Sequence, residues 1–141
     1  MKTMIAAILF LIFLSLAATH IYWGLGGKSG KAASIPTKAD GKPTIKPGKI
    51  DCFVVAAGLL LFGVFILIRS GVVSVRLPGW LFNYGIWAIA ALFFLRAIGE
   101  FKYIGFFKKI KTTAFAKMDT MYYSPLCLLI AVLSVILNII N

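Results

Sequence analysis

Residues 52–98 read CFVVAAGLLLFGVFILIRSGVVSVRLPGWLFNYGIWAIAALFFLRAI, two long apolar runs separated by a short connection centred on RLPG. A helix needs about 20 apolar residues to cross about 30 Å of hydrocarbon, because it rises roughly 1.5 Å per residue. A chain in lipid must satisfy its own backbone hydrogen bonds, so each run is predicted to be a helix. The short connection makes the two helices antiparallel neighbours.

Two more apolar runs of similar length flank this pair. The predicted membrane helices cover about 4–23, 52–71, 79–98 and 121–140. The first run resembles a signal peptide, but it is longer than the roughly 7–15 apolar residues of a signal core, and three further spans follow it. We therefore predict that it is retained. Residues 1–141 are expected to form one all-α membrane domain, a bundle of four transmembrane helices.

The composition excludes most soluble classes of protein. Hydrophobic residues make up 61% of the chain and charged residues 13%, whereas soluble domains average roughly 45–50% and about 25%. The formal net charge is +11, but the basic residues fall in loops between the apolar runs, so the expected partners are the bilayer and its anionic headgroups. A nucleic-acid partner is not expected, because no basic face on a soluble fold is indicated.

The positions of lysine and arginine predict an orientation. The loop at 24–50 carries six of these residues, and the third connection, from Arg96 to Lys117, carries another six. The opposite side carries only Lys2, Arg69 and Arg76. The positive-inside rule then places both long loops in the cytoplasm and both termini outside.

The two basic connections are predicted to differ in character. Residues 24–50 form a Lys-, Gly- and Pro-rich loop with too little apolar content to fold alone, which predicts flexibility. Residues 101–119 alternate aromatics with lysines, which predicts an interfacial amphipathic segment with its rings among the headgroups and its ammonium groups in water. Ser124 and Pro125 are predicted to be the N-cap and first residue of the last helix.

Motifs for nucleotide, metal or redox chemistry are weak. GLGGKSGK at 24–31 ends like a Walker A motif, but the position that requires its first glycine is Tyr22, and the motif follows an apolar helix. Cys52 and Cys127 do not form a CxxC pair, and on a reducing side of the membrane they are expected to be small buried hydrophobes. No metal site and no cofactor is indicated.

Polar residues collect where three spans reach the same membrane face. Arg96 and Glu100 are spaced i, i+4, so they would pair if the third helix continues that far. One interpretation is an interfacial belt of aromatic anchors with Arg96 held by Glu100. The other is a polar pocket at the mouth of the bundle, because ionisable residues that face a bundle interior often mark functional sites. The candidate ligand-binding cluster is His20, Tyr22, Trp23, Arg96, Glu100, Asp119 and Tyr123.

Three segments, HIYWGLGG at 20–27, RAIGEFKYIGFFKK at 96–109 and AKMDTMYYSPLCL at 116–128, resemble the DUF3995 family of small bacterial membrane proteins. The resemblance implies four spans in a bacterial cytoplasmic membrane. It implies no activity, because none is assigned to the family. The family's motif positions fall on His20, Tyr22 and Trp23; on Arg96, Gly99, Glu100 and Phe101; and on Asp119, Tyr123, Ser124, Pro125 and Cys127.

Three functions remain open. The first is binding or carrying a small molecule or lipid at the polar cluster on the cytoplasmic face, which the lack of a recognisable nucleophile–base set favours. The second is a structural or accessory subunit of a membrane complex, with small residues such as Gly58 and Gly63 at helix contacts. The third is an enzyme on a lipid-soluble substrate, with His20 as general base or acid, Glu100 or Asp119 to orient it and Cys127 as candidate nucleophile. The sequence predicts neither the ligand nor the oligomeric state.

Overall fold

A computed structural model describes residues 1–141, and it is helical throughout apart from turns and loops. Four helical stretches are long and apolar enough to cross a membrane. The predicted all-α bundle of four spans is therefore confirmed. Its elements are α1 (Lys2–Gly24), α2 (Lys31–Ser34), α3 (Lys49–Arg69), α4 (Gly79–Ile98), α5 (Ala114–Met118), a π-helix (Asp119–Tyr123) and α6 (Ser124–Ile139).

The core joins two helix pairs, α1 with α3 and α4 with α6. The ring of Phe13, which is completely buried, lies 5.9 Å from that of Phe62 on α3 and 5.6 Å from that of Phe93 on α4. A third contact joins Phe62 to Phe93 at 6.2 Å. Offset and edge-on aromatic pairs at such distances stabilise a core beyond their buried area. The three rings therefore connect the two helix pairs at mid-bundle.

The last membrane-spanning helix begins earlier than predicted. Thr113 is its N-cap, with the hydroxyl accepting a hydrogen bond from the Ala116 amide at 3.1 Å. Ser124 has helical dihedral angles, φ −67° and ψ −44°, so the prediction that it caps a helix was wrong. Pro125 has no N–H and would crowd a carbonyl in the preceding turn. The chain instead widens into the π-helix before this proline, which lets one helix continue through it.

The Lys-rich loop at 24–50 contains α2 and a small hairpin. The Lys38 amide donates to the Lys42 carbonyl at 2.8 Å, and the Thr44 amide donates to the Pro36 carbonyl at 2.8 Å. The Tyr123 hydroxyl donates to the carbonyl of Ala33 in α2 at 3.3 Å. The loop therefore lies at the same end of the bundle as the connection between α4 and α5. Its flexibility stays a prediction.

Arg69 braces the opposite end of the bundle, where α3 and α6 finish. Its Nη2 donates to Asn138 Oδ1 at 3.0 Å, and its carbonyl accepts from Asn141 Nδ2 at 2.9 Å. Its guanidinium carbon also lies 4.5 Å from the centre of the Phe82 ring on α4, a cation–π contact. These contacts join three helices at the end that carries both chain termini.

Candidate functional site

Asp119 lies in the π-helix, is completely buried and is the centre of a cluster of three charges. Its Oδ1 accepts a hydrogen bond from Arg96 Nη2 at 3.0 Å. Its Oδ2 accepts from Lys108 Nζ at 3.1 Å and from the Gly105 amide at 2.8 Å. A buried carboxylate is tolerated only when it is paired and hydrogen-bonded, and here both oxygens have partners. We call Arg96, Lys108 and Asp119 the charge cluster.

Lys108 is only 2% exposed, so the prediction that the lysines of 101–119 stay in water was wrong for this residue. An ammonium group has three donors. Besides Asp119, Nζ donates to the Gly105 carbonyl at 3.0 Å and to Thr120 Oγ1 at 2.6 Å. Sequence reasoning missed Lys108, because no periodic pattern separates it from Lys109 and the other lysines of this irregular segment.

Two glycines shape the loop that delivers Lys108. Gly99 has φ +82° and Gly105 has φ +88°, values that favour glycine. A Cβ on Gly99 would overlap the carbonyl oxygen of Ile104, and a Cβ on Gly105 would overlap that of Ile98. The backbone of residues 98–105 is therefore closed on itself. This closure turns the Gly105 amide and the Lys108 side chain toward the buried carboxylate.

The expected ion pair between Arg96 and Glu100 is not formed. Helix α4 ends at Ile98, so the i, i+4 geometry is never reached. Glu100 is exposed, and its carboxylate accepts the backbone N–H of Tyr103 instead. The carboxylate that holds Arg96 is Asp119, which lies 23 residues away in sequence.

Tyr22 and Trp23 hold the glycine-rich turn that follows α1. Trp23 Nε1 donates to the Ser29 carbonyl at 2.9 Å, and the Ser29 amide donates to the Tyr22 hydroxyl at 3.4 Å. The Tyr22 ring covers Gly27 so closely that a Cβ there would overlap it. These contacts therefore stabilise the turn that follows α1.

His20 is also engaged locally. Its Nδ1 is hydrogen-bonded to the Leu16 carbonyl at 2.8 Å, and its ring centre lies 5.2 Å from that of Trp23 with the two ring planes at 67°. A carbonyl only accepts, so Nδ1 carries a proton in this contact. His20 makes no hydrogen bond or ion pair with the charge cluster.

Tyr123 ends the π-helix that Asp119 begins, but its hydroxyl donates to the Ala33 carbonyl of α2 at 3.3 Å. Of the seven candidate residues, the structure thus pairs Arg96 with Asp119, and it leaves Tyr123, the α1 residues and Glu100 in separate contacts. The ligand-binding role of all seven stays a prediction.

The charge cluster keeps an excess positive charge and a hydrogen-bond donor without a partner. It contains two cations and one carboxylate, and Arg96 Nη1 is buried without a hydrogen-bond partner. The Arg96 side chain is still 32% exposed, so the guanidinium lies at the edge of the cluster. Ser124 Oγ is likewise buried without a partner. Guanidinium groups form bidentate hydrogen bonds with phosphate and carboxylate, so an anion is the ligand that this arrangement fits.

Comparison with known proteins identifies a family and no activity. A family model described as "Protein of unknown function (DUF3995)" matches residues 13–134. The matched region includes the complete charge cluster and the residues at the end of α1. No curated protein and no solved structure matches the chain.

Proposed function

The chain belongs to the DUF3995 family, and we propose that this member is a membrane protein that binds an anionic small molecule or lipid at Arg96. The observation that carries the proposal is the buried Nη1 of Arg96, which has no partner. A buried donor without a partner costs about 1–3 kcal/mol, and more when it is charged. A phosphate or carboxylate oxygen would satisfy this donor and balance the excess positive charge of the cluster.

The position of Arg96 supports an anion from the interface. Arg96 lies two residues before the end of the 20-residue helix α4, which places it near the boundary of the hydrocarbon. The exposed Lys109 and Lys111 follow α4, Lys117 lies in α5, and all three add positive potential at this end of the bundle. The proposal assigns no catalytic step, because no hydrogen bond joins the Cys127 thiol to His20, the pairing that an activated nucleophile requires.

Replacing Arg96 by Gln is expected to weaken anion binding at least about tenfold, because a charge-assisted hydrogen bond contributes about 1.5–3 kcal/mol. The probe is dihexanoyl phosphatidylglycerol, a short-chained soluble lipid, titrated into detergent-purified protein and followed by native mass spectrometry. Asp119 keeps its Lys108 and Gly105 partners in this variant, so the fold should persist. A thermal unfolding scan checks this point.

The matched control is Lys117→Gln, which removes one positive charge from an exposed position at the same end of the bundle. Its affinity for the probe should stay within about twofold of wild type, because an exposed charge is screened by solvent. Equal losses of affinity in the two variants would show that the probe responds to the net positive charge and not to a site at Arg96. An unchanged affinity in Arg96→Gln would also contradict the proposal.

We propose further that the end with the charge cluster faces the cytoplasm. Support comes from the six basic residues in each of the two connections that meet there. With Cys52 and Cys127 replaced by Ser, a cysteine at Val75 should react with a membrane-impermeant maleimide in intact cells. A cysteine at Lys38 should react only after the cells are permeabilised. The reverse pattern of labelling would overturn this orientation.

A further inference from the structure

An apolar cleft of about 640 Å³ separates α3 from α4. Its wall on α3 runs from Leu61 to Ile68, and its opposite wall runs from Leu77, just before α4, to Leu92. Ten of its eleven lining residues are hydrophobic, and the remaining one is Gly85. In a membrane such a cleft is open to hydrocarbon and offers no polar partner along its length.

The α4 wall of the cleft leads to Arg96. Gly85, Ala88 and Leu92 line the cleft at spacings of three and four residues, which places them in one row on the helix. The next position in this row is Arg96, one turn beyond Leu92. The only charged side chain of α4 therefore stands at one end of the apolar row.

The α3 side of the cleft stays open toward Arg96. Helices α3 and α4 are antiparallel, with Phe65 against Gly85 and Phe62 against Phe93. Gly58, one turn from Phe62, therefore lies near the level of Arg96. A Cβ at Gly58 would meet no atom within 4 Å, so there is open space beside α3 at this position.

The length of the row suits a lipid chain. From Leu81 to Arg96 the helix rises about 22 Å at roughly 1.5 Å per residue. One leaflet contributes about half of the roughly 30 Å hydrocarbon thickness, so a chain whose headgroup lies beside Arg96 can follow the nearer part of the cleft, past Leu92 and Ala88 to about the level of Gly85. A soluble anion would make no use of this wall.

We infer that the ligand of Arg96 is an anionic phospholipid, with its phosphate on the guanidinium and one acyl chain in the cleft between α3 and α4. This inference rests on the proposed function, because it uses the same Arg96 site for the headgroup. The combination of an unpartnered buried cationic donor and an adjoining apolar cleft selects a ligand with an anionic head and a long chain.

A second groove provides the comparison. It lies between α4 and α6, has a volume of about 390 Å³ and is lined by hydrophobic residues that include Ala91 and Phe94. At about 100° per residue, Arg96 is roughly 200° around the helix from Phe94, so it lies away from this groove. An acyl chain bound there would gain no contact between its phosphate and Arg96.

The test places a bulky side chain in the cleft in one variant and in the groove in another. Ala88→Phe places a ring in the cleft between α3 and α4, and Ala91→Phe places the same ring in the groove between α4 and α6. The probes are dioleoyl phosphatidylglycerol and its dihexanoyl analogue, titrated into each detergent-purified variant with native mass spectrometry as readout. Ala88→Phe should weaken binding of the dioleoyl lipid about tenfold and leave the dihexanoyl lipid within about twofold. Ala91→Phe should change neither.

The outcomes separate this inference from the proposed function. Equal effects of the two substitutions on the dioleoyl lipid, or no effect of Ala88→Phe, would overturn the cleft assignment. Dihexanoyl binding that does not depend on Arg96 would overturn the anion site instead. Tighter binding of dioleoyl phosphatidylcholine than of the phosphatidylglycerol would contradict the anionic specificity. Both alanines are exposed, and an Ala88→Leu variant of intermediate size should give an intermediate loss if Ala88→Phe proves unstable.

Discussion

Replacing Asp119 by Asn is expected to lower the free energy of unfolding by about 3–5 kcal/mol, the cost of leaving buried charges without their counter-ion. Lys108 is almost fully buried and would keep only the Gly105 carbonyl and Thr120 as acceptors. Arg96 Nη2 would lose its carboxylate partner as well. The amide can still accept from the Gly105 N–H, so the expected loss comes mainly from the two cations.

Reversible unfolding in mixed micelles of mild detergent and dodecyl sulfate, followed by circular dichroism, measures this loss. The control is Asp40→Asn, because the 3.9 Å contact of Asp40 with Lys42 is largely exposed and should contribute under about 1 kcal/mol. Adding Lys108→Met to Asp119→Asn should recover part of the stability, because an apolar side chain of similar length can replace a buried ion without penalty. A loss of less than about 1 kcal/mol in Asp119→Asn would contradict this account.

The second large effect is expected from Gly99→Ala. Gly99 has φ +82° and ψ −173°, a region that essentially only glycine occupies, and this conformation alone costs an alanine about 1–3 kcal/mol. The new methyl group would also overlap the carbonyl oxygen of Ile104, which belongs to the backbone and cannot rotate away as a side chain can. The expected loss is about 3 kcal/mol or more, at the upper end for single substitutions. The loop that carries Lys108 should open as a result.

Gly41→Ala is the control for a positive φ without a steric overlap. Gly41 has the same φ of +82°, but a Cβ there would meet no atom within 4 Å. Its substitution should therefore cost only the conformational part, about 1–2 kcal/mol. The measurements are unfolding in the same mixed micelles and limited proteolysis between residues 99 and 110, which should accelerate in Gly99→Ala alone. Equal losses in the two variants would show that the closure of the loop contributes no stability.

The spans could be predicted because hydrocarbon thickness sets their length and lipid excludes polar backbone. The third predicted span, 79–98, coincides with α4, and the second, 52–71, differs from α3 by two or three residues at each end. The start of the last span was misplaced because Ser-Pro usually marks the start of a helix. Here the π-helix before Pro125 lets the helix continue through the proline. That π-helix depends on packing, which hydropathy does not report.

The site could be predicted only in part. Arg96 is recognisable because ionisable residues within a membrane-spanning helix are rare, and Asp119 because it is one of only four acidic residues in the chain. The choice of Asp119 over Glu100 as partner depends on the end of α4 at Ile98, and one more helical turn would have reversed it. The burial of Lys108 depends on an irregular loop with two glycines at positive φ, for which the sequence carries no periodic signal.

The order of synthesis gives the charge cluster a further consequence. Ribosomes make Arg96 and Lys108 before Asp119, which follows them by 23 and 11 residues. Until the last segment emerges, the third span reaches the bilayer with its arginine uncompensated and the following loop unable to close. Insertion of the fourth span therefore completes the assembly of the third, because it supplies the carboxylate that Arg96 and Lys108 share.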